Sequence, residues 1–440
     1  MTEQAVPQRL TIVTPTTAEF HSGTYRIASS ATARGHEVNV VARWAPGLAI
    51  EERHPAGYRI IRIASDPREG LLMPAGMRDQ VHDRAASRAA DRQVDWAAAE
   101  GAARAGQRGP VGRLSHGLGR VLALRADRFE AARIVPPADI VLAYHYLGIG
   151  TGLALGRRDD VPVIYDAGDI YVASTAVQAL PRPARMAIAR YERSAAHRAD
   201  SVVTANDGYA DQLARRLDVP KPVVILNCPP RRASPAASDP RPRRFHEALG
   251  LDPAERLVLY HGGFTPERGI EELIGAIPQV ERAVLVLLGF GPLAGKYEAI
   301  AADPATNRRV RVMRAVPPAE LIDWVASADV AAMTILPTTL NHRLTTPNKL
   351  FEAIAAGVPV VASDLPGMAP IVRSIEAGRL VDPDDPAAIA AGLTAVLDAG
   401  ANEQAARRAR LLAAARGTYN WEVQSARLFA EFGQLTHRPW

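Results

Sequence analysis

Residues 345–361 read Thr-Thr-Pro-Asn-Lys-Leu-Phe-Glu-Ala-Ile-Ala-Ala-Gly-Val-Pro-Val-Val and set Lys349 and Glu352 one turn apart at the start of an expected helix. Thr345 or Thr346 would cap it, Pro347 suits a first helical position that needs no amide hydrogen, and Gly357 supplies the left-handed residue that ends it. First-turn amides lack an intrahelical acceptor and lie at the positive end of the helix dipole, so they favour a phosphate oxygen. Lys349 adds a full charge there. Glu352, on the same face, can accept two hydrogen bonds from a vicinal diol such as a ribose. Phosphate at one end and diol one turn in describes a nucleoside diphosphate, with Thr346 and Asn348 as neighbouring binding candidates.

A second anion site is expected at Tyr260-His261-Gly262-Gly263-Phe264-Thr265-Pro266-Glu267-Arg268-Gly269, between a strand and a helix. Gly262 and Gly263 let backbone approach a ligand, and Arg268 enters from the far side of the loop. Gly289-Phe290-Gly291-Pro292-Leu293-Ala294 has the spacing of a dinucleotide fingerprint, but about 20 positions on, where an acidic residue should hold the ribose, stand Arg308, Arg309 and Arg311. A redox role is therefore not favoured. In the first half, His145, Asp166, Asp169, Asn206 and Asp207 follow expected strands, where ligands of open α/β sheets bind; each also reads as an ordinary loop cap. The sequence has no paired Cys or His spacing for zinc, no Walker lysine motif and no Gly-x-Ser-x-Gly turn.

These residues need rigid elements to hold them. Strands are expected at 9–14, 38–42, 58–63, 140–144, 161–165, 201–204 and 223–226, with Ser22-Gly23-Thr24 in the glycine loop after the first. A second series covers 257–260, 283–288, 310–313, 330–333, 358–362 and 378–381. Valine-rich runs alternating with alanine-rich helices make the fold class α/β, with parallel sheets covered by helices. The Pro- and Arg-rich stretch from Pro229 to Pro242 reads as an exposed linker. Residues 67–133 break the pattern: Arg84, Arg88 and Arg92, then Arg113, Arg120, Arg125, Arg128 and Arg133 around Leu114, Leu118, Val121, Leu122 and Leu124. That helical insertion is either a solvated basic face or a contact with an anionic membrane.

With 440 residues and 48% hydrophobic content the chain can bury two cores, and its one cysteine, Cys228, excludes an internal disulfide. No apolar run reaches the roughly 18 to 20 residues that span a bilayer, and the start lacks a signal-peptide pattern. A cytoplasmic setting is expected, with the inner face of the membrane as an alternative. A net charge of +5 is too mild to argue for a nucleic-acid partner.

With these motifs in hand the chain resembles the retaining glycosyltransferases of the GT-B superfamily, in particular glycosyltransferase family 4. Arg34-Gly35-His36-Glu37-Val38 looks like its first-domain signature, and Tyr165-Asp166-Ala167-Gly168-Asp169 is similar to a mid-domain motif that often has histidine at the place of Gly168. Asn227 stands where the family places an asparagine before its linker, and Tyr419-Asn420-Trp421-Glu422 looks like the start of its closing helix. The resemblance implies two facing doubly wound Rossmann-like domains. Residues 1–228, with the insertion at about 67–135 and a C-terminal helix at about 418–440, would bind the acceptor; 229–245 would link; 246–417 would bind a nucleotide sugar.

Carried over to this sequence, the resemblance gives Glu352 the ribose hydroxyls, and Arg268, with Lys349 and the amides of its helix, the leaving diphosphate. Gly263 falls near where a second basic residue is often found, and Gly23, Gly262, Thr346 and Asn348 complete the expected donor set. His145 would touch the transferred sugar; Asp166, Asp169 and Asn206 are acceptor or cleft candidates. One departure is Leu344, where the family usually has a first glutamate that contacts the donor sugar; Asn341 and His342 are nearby substitutes. The expected activity is metal-independent and cofactor-free transfer of a sugar to an acceptor hydroxyl of unknown class: glycan, lipid-linked glycan or small molecule. A sugar-nucleotide epimerase and a non-catalytic sugar-nucleotide-binding homologue are the alternatives.

Overall fold

The computed structural model describes residues 7–19, 21–45, 47–63, 126–231, 241–306, 308–317 and 319–440. Most of the expected insertion, including Arg84, Arg88, Arg92, Arg113, Arg120 and Arg125, and linker residues 232–240 lie outside them. The described residues fall into two compact units, those within 1–172, 176–225 and 425–440, and those within 173–175 and 226–424.

The first unit carries an eight-stranded sheet in the order β3-β4-β2-β1-β5-β6-β7-β8. Its strands are β1 (Arg9–Val13), β2 (Glu37–Arg43), β3 (Glu51–Arg53), β4 (Arg59–Ile63), β5 (Ile140–Tyr144), β6 (Val163–Asp166), β7 (Ser201–Thr204) and β8 (Val223–Val224). All pairs are parallel except β3 with β4. Strand β3 is absent from the sequence-based expectation because Glu51-Glu52-Arg53 has no apolar alternation; as a charged edge strand it needs none. It is anchored by Arg62 of β4, whose buried guanidinium pairs with Glu52 at 3.1 Å and donates to the Ala49 carbonyl at 2.8 Å.

The second unit is a six-stranded, fully parallel sheet in the order β11-β10-β9-β12-β13-β14. These are β9 (Arg256–Gly263), β10 (Ala283–Phe290), β11 (Val310–Arg314), β12 (Val330–Met333), β13 (Val360–Ser363) and β14 (Gly378–Val381). Alternate residues of β9 feed two cores. Leu257 and Leu259 pack with Val284, Val286 and Leu350 on one face, Val258 and Tyr260 with Leu285, Leu287 and Ile270 on the other. Burial on both faces is why these strands read as continuous apolar runs. In sequence terms the order is 3-2-1-4-5-6, the doubly wound arrangement in which a crevice opens where the winding reverses, beyond the carboxyl ends of the first and fourth strands. Here those are β9 and β12.

Among the described residues no helix is long and apolar enough to cross a membrane.

Candidate functional site

The loop that leaves β9 at that reversal is tied to the segment leaving β12. Thr334 donates its hydroxyl to the Gly269 carbonyl at 2.7 Å, and a Cβ on Gly269, at φ +67°, would stand 1.7 Å from the Thr334 carbonyl oxygen. Only glycine fits. Within the loop, Arg268 donates its Nε to the Thr265 hydroxyl at 3.1 Å, which aims the guanidinium without neutralising it.

The helix before β13 spans Asn348–Ala356 and ends, as expected, on Gly357 in the left-handed region at φ +68°. Its start differs from the expectation. Pro347 occupies the cap position, and no side chain caps the first turn. Thr346 lies one residue before the cap position, and its hydroxyl donates to the Gly367 carbonyl at 3.1 Å. Asn348 presents its amide oxygen to Asn227 Nδ2 at 2.9 Å, which ties the helix start to the segment before the linker.

Lys349 and Arg268 form the electrostatic centre. The Lys349 ammonium is buried with no hydrogen-bond partner among the described residues and rests over the Tyr260 ring, 3.6 Å from its centroid. Burial, and then the Arg268 charge, hold its pKa well below the ordinary 10.5, while Glu352 works in the opposite direction. Two neighbouring cations with no paired carboxylate among the described residues are what an anion would stabilise. Gly262, at φ +125°, leaves room for the lysine: its Cβ would lie 3.6 Å from Lys349 Cε and Nζ. Gly263 also has room: among the described residues a Cβ there would meet Thr265 Cγ2 alone, at 3.9 Å.

One turn in, Glu352 is buried and its Oε2 accepts a hydrogen bond from His261 Nε2 at 2.9 Å. Within the loop motif, sequence alone assigns neither His261 nor Tyr260 a role. Strand alternation puts them on opposite faces, yet no spacing rule says which helix residue each meets. His342, a candidate substitute for the carboxylate missing at Leu344, lies 3.6 Å from Glu267 and 2.8 Å from the Thr338 hydroxyl, and burial and Arg268 lower its pKa.

The glycines of the dinucleotide-like motif have a packing role. A Cβ on Gly289 would meet the Gly262 carbonyl oxygen at 1.9 Å, and one on Gly291 the Phe264 carbonyl oxygen at 2.5 Å. They let β10 lie against the loop after β9, where the Phe264 amide donates to the Phe290 carbonyl at 2.7 Å. A cleft of about 520 Å³ lined by Arg241, Arg256, Asp329 and Arg407 opens at the amino ends of the strands, away from this group.

In the first unit the reversal lies between β1 and β5. Gly23 is at the start of the Ser22–Ala33 helix, where its Cβ would come within 3.0 Å of the Tyr144 hydroxyl; it belongs to the first unit, whereas the rest of the expected donor set belongs to the second. His145, directly after β5, opens the His145–Asp159 helix at φ +67°, an unusual conformation for a non-glycine. Its Nδ1 accepts from the Leu147 amide at 3.1 Å and its ring packs on Tyr146 and Tyr171. Asp166 ends β6, and burial, then Asp169, push its pKa up to about 7. Asn206 caps the Asp207–Leu217 helix, its Oδ1 accepting from the Tyr209 amide at 2.8 Å, which gives it a structural task where a cleft role is expected.

Residues 255–399 match the family described as Glycosyl transferases group 1. A D-inositol 3-phosphate glycosyltransferase from Xylanimonas cellulosilytica is 30% identical over 331 residues, covering 71% of this chain and 75% of that relative. One of the same description from Mycobacterium marinum is 25% identical over 319 residues, 69% of this chain and 65% of that one. Among solved structures, sucrose-phosphate synthase from Thermosynechococcus elongatus superposes with a TM-score of 0.68 at 19% identity over 98% of this chain and 99% of that one. Anabaena HepE in complex with UDP-glucose gives 0.64 at 14% identity over 97% and 100%. The chain thus belongs to the GT-B-fold glycosyltransferases related to family 4, whose members act on nucleotide sugars.

Proposed function

We propose that the protein is a retaining hexosyltransferase that moves a sugar from a nucleotide diphosphate to an acceptor hydroxyl. The observation that carries this reading is the pair Arg268 and Lys349, in no ion pair among the described residues, at the start of the Asn348–Ala356 helix, with Glu352 one turn in. As the bond from anomeric carbon to phosphate lengthens, negative charge grows on the diphosphate. Cations and amides already in place bind that state more tightly than the ground state. The departing phosphate oxygen would take the acceptor's proton on the same face of the sugar, which gives retention and needs no carboxylate nucleophile. Glu352 would hold the ribose. In the first unit, His145, Asp166 and Asp169 are assigned to the transferred sugar and the acceptor.

The test is incubation with a panel of UDP- and GDP-sugars and acceptors, reading the anomeric configuration of the product by proton NMR. The relatives' description makes a phosphorylated cyclitol one acceptor class to include, beside lipid-linked sugars and small aglycones. Transfer with the donor's configuration kept supports the reading. An epimer formed without acceptor would point to the epimerase alternative, and tight donor binding with no turnover on any acceptor to a non-catalytic homologue.

A further inference from the structure

His261 is 3% exposed, and among the described residues its ring makes one hydrogen bond, from Nε2 to Glu352 Oε2 at 2.9 Å; Nδ1 is buried with no partner there. That asymmetry sets the tautomer. A proton on Nδ1 would be a buried donor facing nothing, whereas a bare Nδ1 costs only an unused lone pair, so the proton belongs on Nε2, which donates to the carboxylate. The bond crosses from strand to helix, between residues 91 apart in the chain, and joins the carboxyl end of β9 to the second turn of the Asn348–Ala356 helix.

A carboxylate has about four lone-pair directions, and a fixed donor on one oxygen decides which of the others face outward. It also stops the carboxylate from turning toward the Lys349 ammonium, which attracts it and has no hydrogen-bond partner of its own among the described residues. We infer that His261 is a positioning residue for Glu352: it holds the carboxylate in the orientation that reads the ribose diol and keeps it from collapsing onto Lys349. This deepens the proposed function and rests on its assignment of Glu352 to the ribose. Tyr260, the preceding residue, does the corresponding work for Lys349 by offering its ring face. Consecutive residues of one strand thereby set the diol reader and the phosphate cation of one helix. The arrangement predicts that ribose recognition and phosphate recognition fail separately.

The experiment compares the dissociation constants of UDP, 2′-deoxy-UDP and 3′-deoxy-UDP by calorimetry for the parent, His261→Leu, His261→Gln and Glu352→Ala. The parent should discriminate against at least one deoxy analogue by about tenfold or more, the worth of a hydrogen bond to a charged group. His261→Leu should lose most of that discrimination by weakening UDP while the deoxy analogue changes little. His261→Gln, which can return an N–H to the same oxygen, should restore it. A His261→Leu protein that weakens all ligands equally, or discriminates as the parent does, would overturn the inference. Full discrimination retained in Glu352→Ala would instead remove the ribose assignment beneath it, so the two failures are distinct.

Discussion

Lys349→Met separates what the lysine does for the site from what it does to the fold. Methionine keeps the length and the contact with Tyr260 but removes a buried ammonium that has no hydrogen-bond partner among the described residues. Leaving such a group unsatisfied costs about 3 kcal/mol, and the aromatic face returns about 2 kcal/mol, so the variant should be more stable by about 1 kcal/mol. For a unit of this size that is a rise in Tm of about 2–4 °C. The pH dependence has a definite sign. Because the folded-state pKa is depressed, the unfolded chain binds more protons, and the parent gains stability as pH rises toward 10.5; the advantage of the variant is largest near neutrality and shrinks above it. Loss of one leaving-group cation should cost about 10² to 10³ in kcat. Calorimetric melting at pH 7 and pH 10, with and without UDP, together with donor turnover, checks this. A variant less stable than the parent at pH 7, or one that turns over normally, refutes the reasoning.

Arg268→Ala and Glu352→Ala should each abolish most turnover while circular dichroism and the cooperative melt persist; near-normal rates in both would remove the site. Asp166→Asn removes a carboxyl whose folded-state pKa stands near 7, above its ordinary 3.8. The folded parent holds that proton more tightly than the unfolded chain, so its stability falls as pH rises from about 4 to 7, and the variant's relative Tm should climb over the same window; a constant difference would contradict the cause assigned. Gly289→Ala places a methyl 1.9 Å from the Gly262 carbonyl oxygen and should destabilise by more than about 2 kcal/mol in urea unfolding, as overpacking does.

Much of this is legible in the amino-acid order. Parallel strands buried on both faces leave continuous apolar runs, so β9 to β14 fall close to their expected positions, and Gly357 marks its helix end by the conformation only glycine adopts cheaply. The differences have physical causes. A capping threonine is expected from local spacing, but the helix begins one residue later, with Pro347 at the cap and Thr346 donating to Gly367, 21 residues away, which the spacing does not show. Glycines 289 and 291 have a fingerprint's spacing although they serve the approach of two strands. His261 carries no signal because its partner is fixed by sheet order, whereas the Asn206 cap is one of the two readings its place after a strand allows. Lys349 and Glu352 are readable together since both lie on one helix face.

The most direct measurement is a crystal structure of the protein with UDP-glucose. The diphosphate should lie against the first turn of the Asn348–Ala356 helix, with the Lys349 ammonium drawn from Tyr260 toward a phosphate oxygen, Arg268 on the same diphosphate, and the ribose hydroxyls on Glu352. A nucleotide bound elsewhere in the second unit, with these three side chains left as they are in the free protein, would contradict it.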